Sequence, residues 1–258
     1  MSTTDMAMSS ASATEANDQA AGLRQLFGPI AAPVHVLCCP ARPALTLPLI
    51  ESIGKEMIER QHTALWVDEI EFTEREQWPL PCKVKFDLSK TLLGHVDLDQ
   101  TVSPLQAGFW YGLSLHTARI EAPTAPLTDR LNNSGVQFDT VMVASMAHKT
   151  ESFAHYGSRV HCTALTHCNE ASLRQALTWF QQSHAHSAVA SFSVVLMGQP
   201  ESFATAKAWL QTTAAAELAH TPKVLGEIDK SVLDASLSAA WTRLPDLCKS
   251  LASHLLVH

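Results

Sequence analysis

Charge is scarce in this chain. Only 17% of its 258 residues are Asp, Glu, Lys or Arg, against about 25% in average usage. The 25 acidic residues outnumber the 18 basic ones and give a formal net charge of −7, which argues against nucleic acid as the main partner. No run approaches the roughly 20 apolar residues of a membrane span. The opening MSTTDMAMSSASATEAND has neither a basic stretch nor an apolar core, so it is not expected to be a secretory signal. Six cysteines in so long a chain make no disulfide framework, and without an export signal they should stay reduced. Hydrophobic residues make up 46%, enough for a substantial core and too many for wholesale disorder. The expectation is a cytoplasmic globular protein with one α/β domain.

The organisation follows from patterning. Residues 1–16 are mostly Ser, Thr and Ala and read as a disordered tail. A short helical pattern at 17–28 has Asn17 or Asp18 to cap its start and Gly28 at its end. From residue 29 to 258 apolar runs alternate with helical periods. Strands are expected at 34–39, 64–67, 141–144, 159–164, 193–197 and 223–225, and helices at 46–60, 106–120, 170–182, 202–218 and 231–256. Such alternation predicts a single doubly wound, mainly parallel sheet with helices on both faces.

In such a fold, chemistry sits at the carboxyl ends of the strands, where helix N-termini offer N–H groups to phosphate. The first such place is the loop Cys39-Pro40-Ala41-Arg42-Pro43-Ala44-Leu45-Thr46. Laid on the phosphate-loop pattern G-x-x-x-x-G-K-S/T, it has the right length and the right Thr46. Cys39 and Ala44 replace the glycines, Leu45 replaces the lysine, and Pro40 and Pro43 remove two backbone donors. Taken alone, the loop is either an ordinary strand-to-helix connection or a decayed phosphate loop.

Three further segments bear on that choice: Asp68-Glu69-Ile70 after the second strand, Asp139 to Ser145 on a later one, and Leu225-Gly226-Glu227-Ile228-Asp229 running on to Val232 and Ala235. In this order and spacing, from about Val34 onward, the chain resembles the MinD/ParA-type ATPases, a P-loop NTPase family. That resemblance implies the fold and, position by position, argues against the activity. The family's second acid after the second strand falls on Ile70, its Walker-B acid on Ala144 and its additional loop lysine on Pro40. Mg²⁺ needs carboxylate or hydroxyl oxygens and the γ-phosphate needs a cation; only Thr46 and the residual acid Asp68 remain for either task. Neither ATP nor Mg²⁺ is expected to bind, and no catalytic residue is assigned within the domain.

The most specific motif precedes the domain. Asp18-Gln19-Ala20-Ala21-Gly22-Leu23-Arg24 resembles the D-Q-A-x-x-L-R helix of the FlhG (FleN) flagellar-number regulators, a MinD-like family. Five fixed identities arise by chance on the order of once in a million starts at average usage. The resemblance implies binding to an FlhF-type signal-recognition GTPase and stimulation of its GTP hydrolysis. At about 100° per residue, Gln19, Ala20, Leu23, Arg24, Leu26 and Phe27 share one face. Leu23 and Phe27 suit anchors in a groove, with Gln19 and Arg24 beside them. The competing reading is a surface helix that packs on its own domain.

Weaker signals have blander explanations. His161-Cys162, His167-Cys168 and His184-x-His186 invite zinc, but six residues of strand span about 20 Å, too far for His161 and His167 to share a metal. Cys38-Cys39 reads as buried packing, and Ser145 with His148 lacks a partner acid. Leu237, Trp241, Leu244, Leu247, Leu251 and Leu255 recur at helical spacing, yet only Arg243 and Lys249 nearby are basic. That period therefore reads as packing on the domain, with at most weak membrane contact. The leading expectation is a regulator of flagellar number or placement, cytoplasmic and near the flagellated pole, whose ATPase-like domain is inactive. The alternatives are an unusual ATPase using Thr46, Asp68 and Arg42 while cycling between monomer and dimer, and a scaffold for flagellar basal-body or transcription-related proteins.

Overall fold

Long apolar strands buried on both faces need helices above and below them. The computed structural model of the chain meets that requirement with an eight-stranded sheet. It describes residues 31–76, 78–134, 136–186, 189–218, 220–229 and 245–256. The tail at 1–16, the motif helix at 17–28 and the stretch 230–244 lie outside the described residues. The strands are β1 (Val34–Cys38), β2 (Ala64–Asp68), β3 (Val102–Gln106), β4 (Phe109–Leu113), β5 (Thr140–Ser145), β6 (Val160–His167), β7 (Val189–Gly198) and β8 (Lys223–Asp229). Their order is β3-β4-β2-β5-β1-β6-β7-β8. Among the described residues, only the β3–β4 pair is antiparallel.

Central β1, β2 and β5 are buried at every position, which is why they read in sequence as mainly apolar runs, broken within by His35 alone. Alternate side chains feed two cores. Leu37, Trp66, Met142 and Leu165 point to the face covered by α1 (Thr46–Glu59) and α5 (Pro245–Leu256), through Ile50, Ile53, Met57, Leu251 and Leu255. Val36, Val67, Val143 and Ala164 point to the face covered by α2 (Leu127–Asn132), α3 (Glu170–His186) and α4 (Pro200–Trp209), through Leu131, Trp179, Phe180 and Phe203. Within α5, Cys248, Leu251, Ala252 and Leu255 are buried, and Arg60 ties the helix down through Ser253 Oγ and the Lys249 carbonyl.

One expected element is overturned. Residues 106–120 are not a helix; β3 and β4 form a hairpin there, followed by the short turn Thr117–Arg119. Gly108 turns the chain at φ +82°, a backbone state that suits glycine. The run Phe109-Trp110-Tyr111 then follows the two-residue period of a strand. Phe109 and Tyr111 point the same way, with ring centroids 6.4 and 5.1 Å from that of Trp66. Pro104 sits on the edge strand β3, where a missing N–H costs least. Strands β6 and β8 run further than expected, to His167 and Asp229. The helix expected at 202–218 begins at Pro200 and passes through a π segment at Leu210–Ala214.

Candidate functional site

Chain order sends β1 through α1 to β2 on one side of the sheet, and β5 to β6 on the other. The reversal places the loop after β1 at the carboxyl edge, beside the ends of β5 and β6, where open α/β sheets bind ligands.

The loop itself is closed. After β1, the Arg42 N–H donates to the Cys39 carbonyl at 3.1 Å and the Leu45 N–H to the Arg42 carbonyl at 3.0 Å. Pro43–Leu45 forms a short 3₁₀ turn, and the Thr46 N–H bonds back to the carbonyls of Ala44 and Pro43. The Thr46 hydroxyl, the oxygen expected for a metal ion, donates to the Pro43 carbonyl at 2.7 Å. Cys39, Ala44 and Leu45 are buried in the core shared with α1, and burial pushes the Cys39 thiol up to about 11. Arg42 instead points outward and makes a two-pronged pair with Glu76, at 2.6 and 2.7 Å. Pro40 supplies no donor.

Asp68 ends β2 and is fully buried. The Arg75 guanidinium meets its Oδ2 at 2.5 Å, the Tyr111 hydroxyl donates to the same oxygen at 2.9 Å, and the Ile70 N–H donates to Oδ1 at 3.0 Å. Arg75 is held in turn by the carbonyls of Trp78 and Pro79. Burial raises the Asp68 pKa above its ordinary value, with Arg75 the largest opposing influence. Ile70 and Ala144, where the family's acids would stand, are buried apolar residues.

The neighbouring Glu69 carries a second buried network that sequence reading missed. Its carboxylate accepts from the hydroxyls of Ser145 at 2.5 Å, Ser152 at 2.7 Å and Tyr156 at 2.5 Å. Lys149 Nζ donates to the Glu69 carbonyl at 2.9 Å and lies 3.4 Å from Glu71. Tyr156 continues to Ser114, and Ser114 to Thr117. Burial raises the Glu69 pKa, opposed by the three hydroxyls and Lys149. Hydroxyls and ammonium thus join the carboxyl ends of β4, β2 and β5. The signal was present: two adjacent acids closing a wholly apolar strand must find partners, because burying an unpaired charge is costly.

The other candidates separate. The Ser145 hydroxyl is engaged by Glu69, whereas His148 is exposed and faces Glu71 at 3.8 Å. His161 stacks on His35 with ring centroids 4.9 Å apart and bonds Ser191. Among the described residues there is no group of three or more His, Cys, Asp or Glu able to hold a metal ion, and no helix is long and apolar enough to cross a membrane. Asp18, Gln19, Ala20, Leu23, Arg24 and Phe27 lie outside the described residues.

No family model matches the sequence, and no curated protein matches it. Solved structures do. The MinD cell division protein of Aquifex aeolicus is 13% identical over 88% of this chain and 98% of its own, with a TM-score of 0.58. The Cyanothece McdA–ATP complex matches at 12% identity over 88% and 96%, with a TM-score of 0.58. A plasmid partition protein of Borrelia burgdorferi matches at 10% over 84% and 97%, with a TM-score of 0.53. At such identities the likeness bears on architecture alone, over most of the chain. The chain has the fold of the MinD- and ParA-like P-loop ATPases.

Proposed function

We propose that this chain is a MinD-like regulator that has lost ATP binding and hydrolysis. It acts by presenting residues 17–28 to an FlhF-type signal-recognition GTPase and stimulating GTP hydrolysis, thereby limiting flagellar number or placement. The observation that carries the reading is the motif Asp18-Gln19-Ala20-x-x-Leu23-Arg24 placed ahead of a domain with this fold. Loss of ATP chemistry is supported by how the residues left for it are engaged: Thr46 by the Pro43 carbonyl, Asp68 by Arg75 and Tyr111, and Arg42 by Glu76. The same engagements speak against the unusual-ATPase alternative, since each must break before phosphate or Mg²⁺ could be held. In this reading the protein works in the cytoplasm near the flagellated pole, with basal-body or transcription-related proteins as further partners.

Two measurements test it. Calorimetry with Mg²⁺ and ATP should give no micromolar binding, and light scattering should give the same oligomeric state with and without ATP. A peptide of residues 17–28 should accelerate GTP hydrolysis by the cognate GTPase. Gln19→Ala should lower the stimulated turnover with little change in half-saturation, because a water-positioning glutamine acts in the transition state. Leu23→Ala should raise the half-saturating concentration about tenfold, equivalent to about 1.4 kcal/mol. A peptide that binds without altering turnover would leave the scaffold reading in its place.

A further inference from the structure

A cavity of about 400 Å³ opens at the β3–β4 edge of the sheet, on the face opposite α1. None of its lining belongs to the closed loop or to the buried networks of Asp68 and Glu69. Its size lies near the lower end of the about 300–1,000 Å³ typical of small-molecule sites. The floor is apolar: Leu98 and Val102 lie beside Trp110 and Phe138, whose rings meet edge to face at 6.3 Å and 78°. Trp110 is only half-buried, so this aromatic pair presents a surface to the cavity.

The polar groups at the wall carry both signs. Arg130 contributes a guanidinium whose Nη2 donates to Thr124 and whose Nε is buried without a hydrogen-bond partner among the described residues. A guanidinium carries five N–H donors in all, so an arginine at the cavity wall has donors left for an acceptor beyond the one held by Thr124. The lining also includes Asp97 and Asp99, both exposed. Their carboxylates make no ion pair or side-chain hydrogen bond among the described residues.

We infer that this cavity is a binding site for a free α-amino acid with an aromatic side chain. The ligand carboxylate meets Arg130, its ammonium meets Asp97 and Asp99, and its ring lies on Trp110 and Phe138. An aromatic ring suits the floor because edge-to-face and offset contacts between rings add to the burial of apolar area. The two carboxylates disfavour nucleotides, whose phosphates would face two like charges, and a purely apolar ligand would leave the Arg130 charge unmatched.

The test titrates the full-length protein with L-phenylalanine, L-phenylalaninamide, N-acetyl-L-phenylalanine and AMP, by calorimetry or saturation-transfer NMR. L-Phenylalanine should bind saturably at one site. The amide, lacking the carboxylate, and the acetylated form, lacking the ammonium, should each bind about tenfold or more weakly. Arg130→Gln should weaken L-phenylalanine by a similar factor while leaving the amide unchanged, a split that general unfolding does not produce. The ligand comparison needs no variant, so it stands even if a substitution fails to fold. The inference is overturned if none of the three phenylalanine compounds gives saturable binding at millimolar concentration. Equal binding of all three, or tighter binding of AMP, overturns it too.

Discussion

At the scale of single residues, the fate of Asp68 turns on Arg75. Both side chains are essentially out of solvent, at 0% and 3% exposure, and their contact of 2.5 Å is supported by Tyr111 and by carbonyls on the arginine. Removing one partner of a buried ion pair leaves the other charge uncompensated, at a cost of about 3–5 kcal/mol. Arg75→Ala should therefore lower the urea midpoint substantially. The double variant Asp68→Asn with Arg75→Met should recover much of that loss, because it removes both charges and keeps the volume. A single variant as stable as wild type would mean that the pair is open to water in solution.

The loop after β1 works as an element rather than through any one side chain. Its shape rests on three backbone N–H donors bonded inside the loop and on Leu45 and Ala44 buried under α1. Placing a cation in the loop by Leu45→Lys should therefore not confer ATP binding. The ammonium would enter an apolar site, where burial of an unpaired charge is costly, and the Thr46 hydroxyl would still be held by Pro43. The expected result is a fall in thermal stability with no Mg²⁺-dependent ATP signal in calorimetry. A stable variant that binds ATP would mean that the loop opens readily and that its closure does not exclude phosphate. Much of this element was legible beforehand: the missing glycines, the two prolines and Leu45 in the lysine position are all properties of the local string. The hairpin of β3 and β4 was not. An Ala-Gly turn and an aromatic run can serve either period over so few residues, and the ring of Trp66 on β2 chooses the strand by offering Phe109 and Tyr111 a surface.

For the whole molecule, the buried acids set a pH dependence with a definite sign. Burial raises the folded pKa of Asp68 above its ordinary 3.8 and that of Glu69 above its ordinary 4.5. The native state thus keeps these protons to higher pH than the unfolded chain does. Their contribution to stability is full below the ordinary values and declines as pH rises through the window up to the folded ones. Glu69→Gln, which fixes a neutral side chain, should make stability fall less steeply from about pH 4.5 upward than in wild type. Urea midpoints measured for both proteins at steps of pH read this difference directly. If the gap between the two curves stays constant with pH, Glu69 titrates as an ordinary carboxylate. Glu69→Ala, which also strands three hydroxyls, should cost more than Glu69→Gln at every pH.

The sequence by itself determined the fold class and the residues available to the loop after β1. Strands buried on both faces must be apolar throughout, helices must show one apolar stripe, and a glycine or lysine absent from the string is absent from the site. These are consequences of local residue identity and period. The tertiary structure alone decided which groups meet Asp68 and Glu69, and where an open cavity lies. Tyr111 is 43 residues from Asp68, and Tyr156 is 87 residues from Glu69. They meet because the order β4-β2-β5 brings three strand ends to one edge. A buried acid requires partners wherever it stands, but strand order chooses them, and that order depends on how two helix-covered faces close over the sheet.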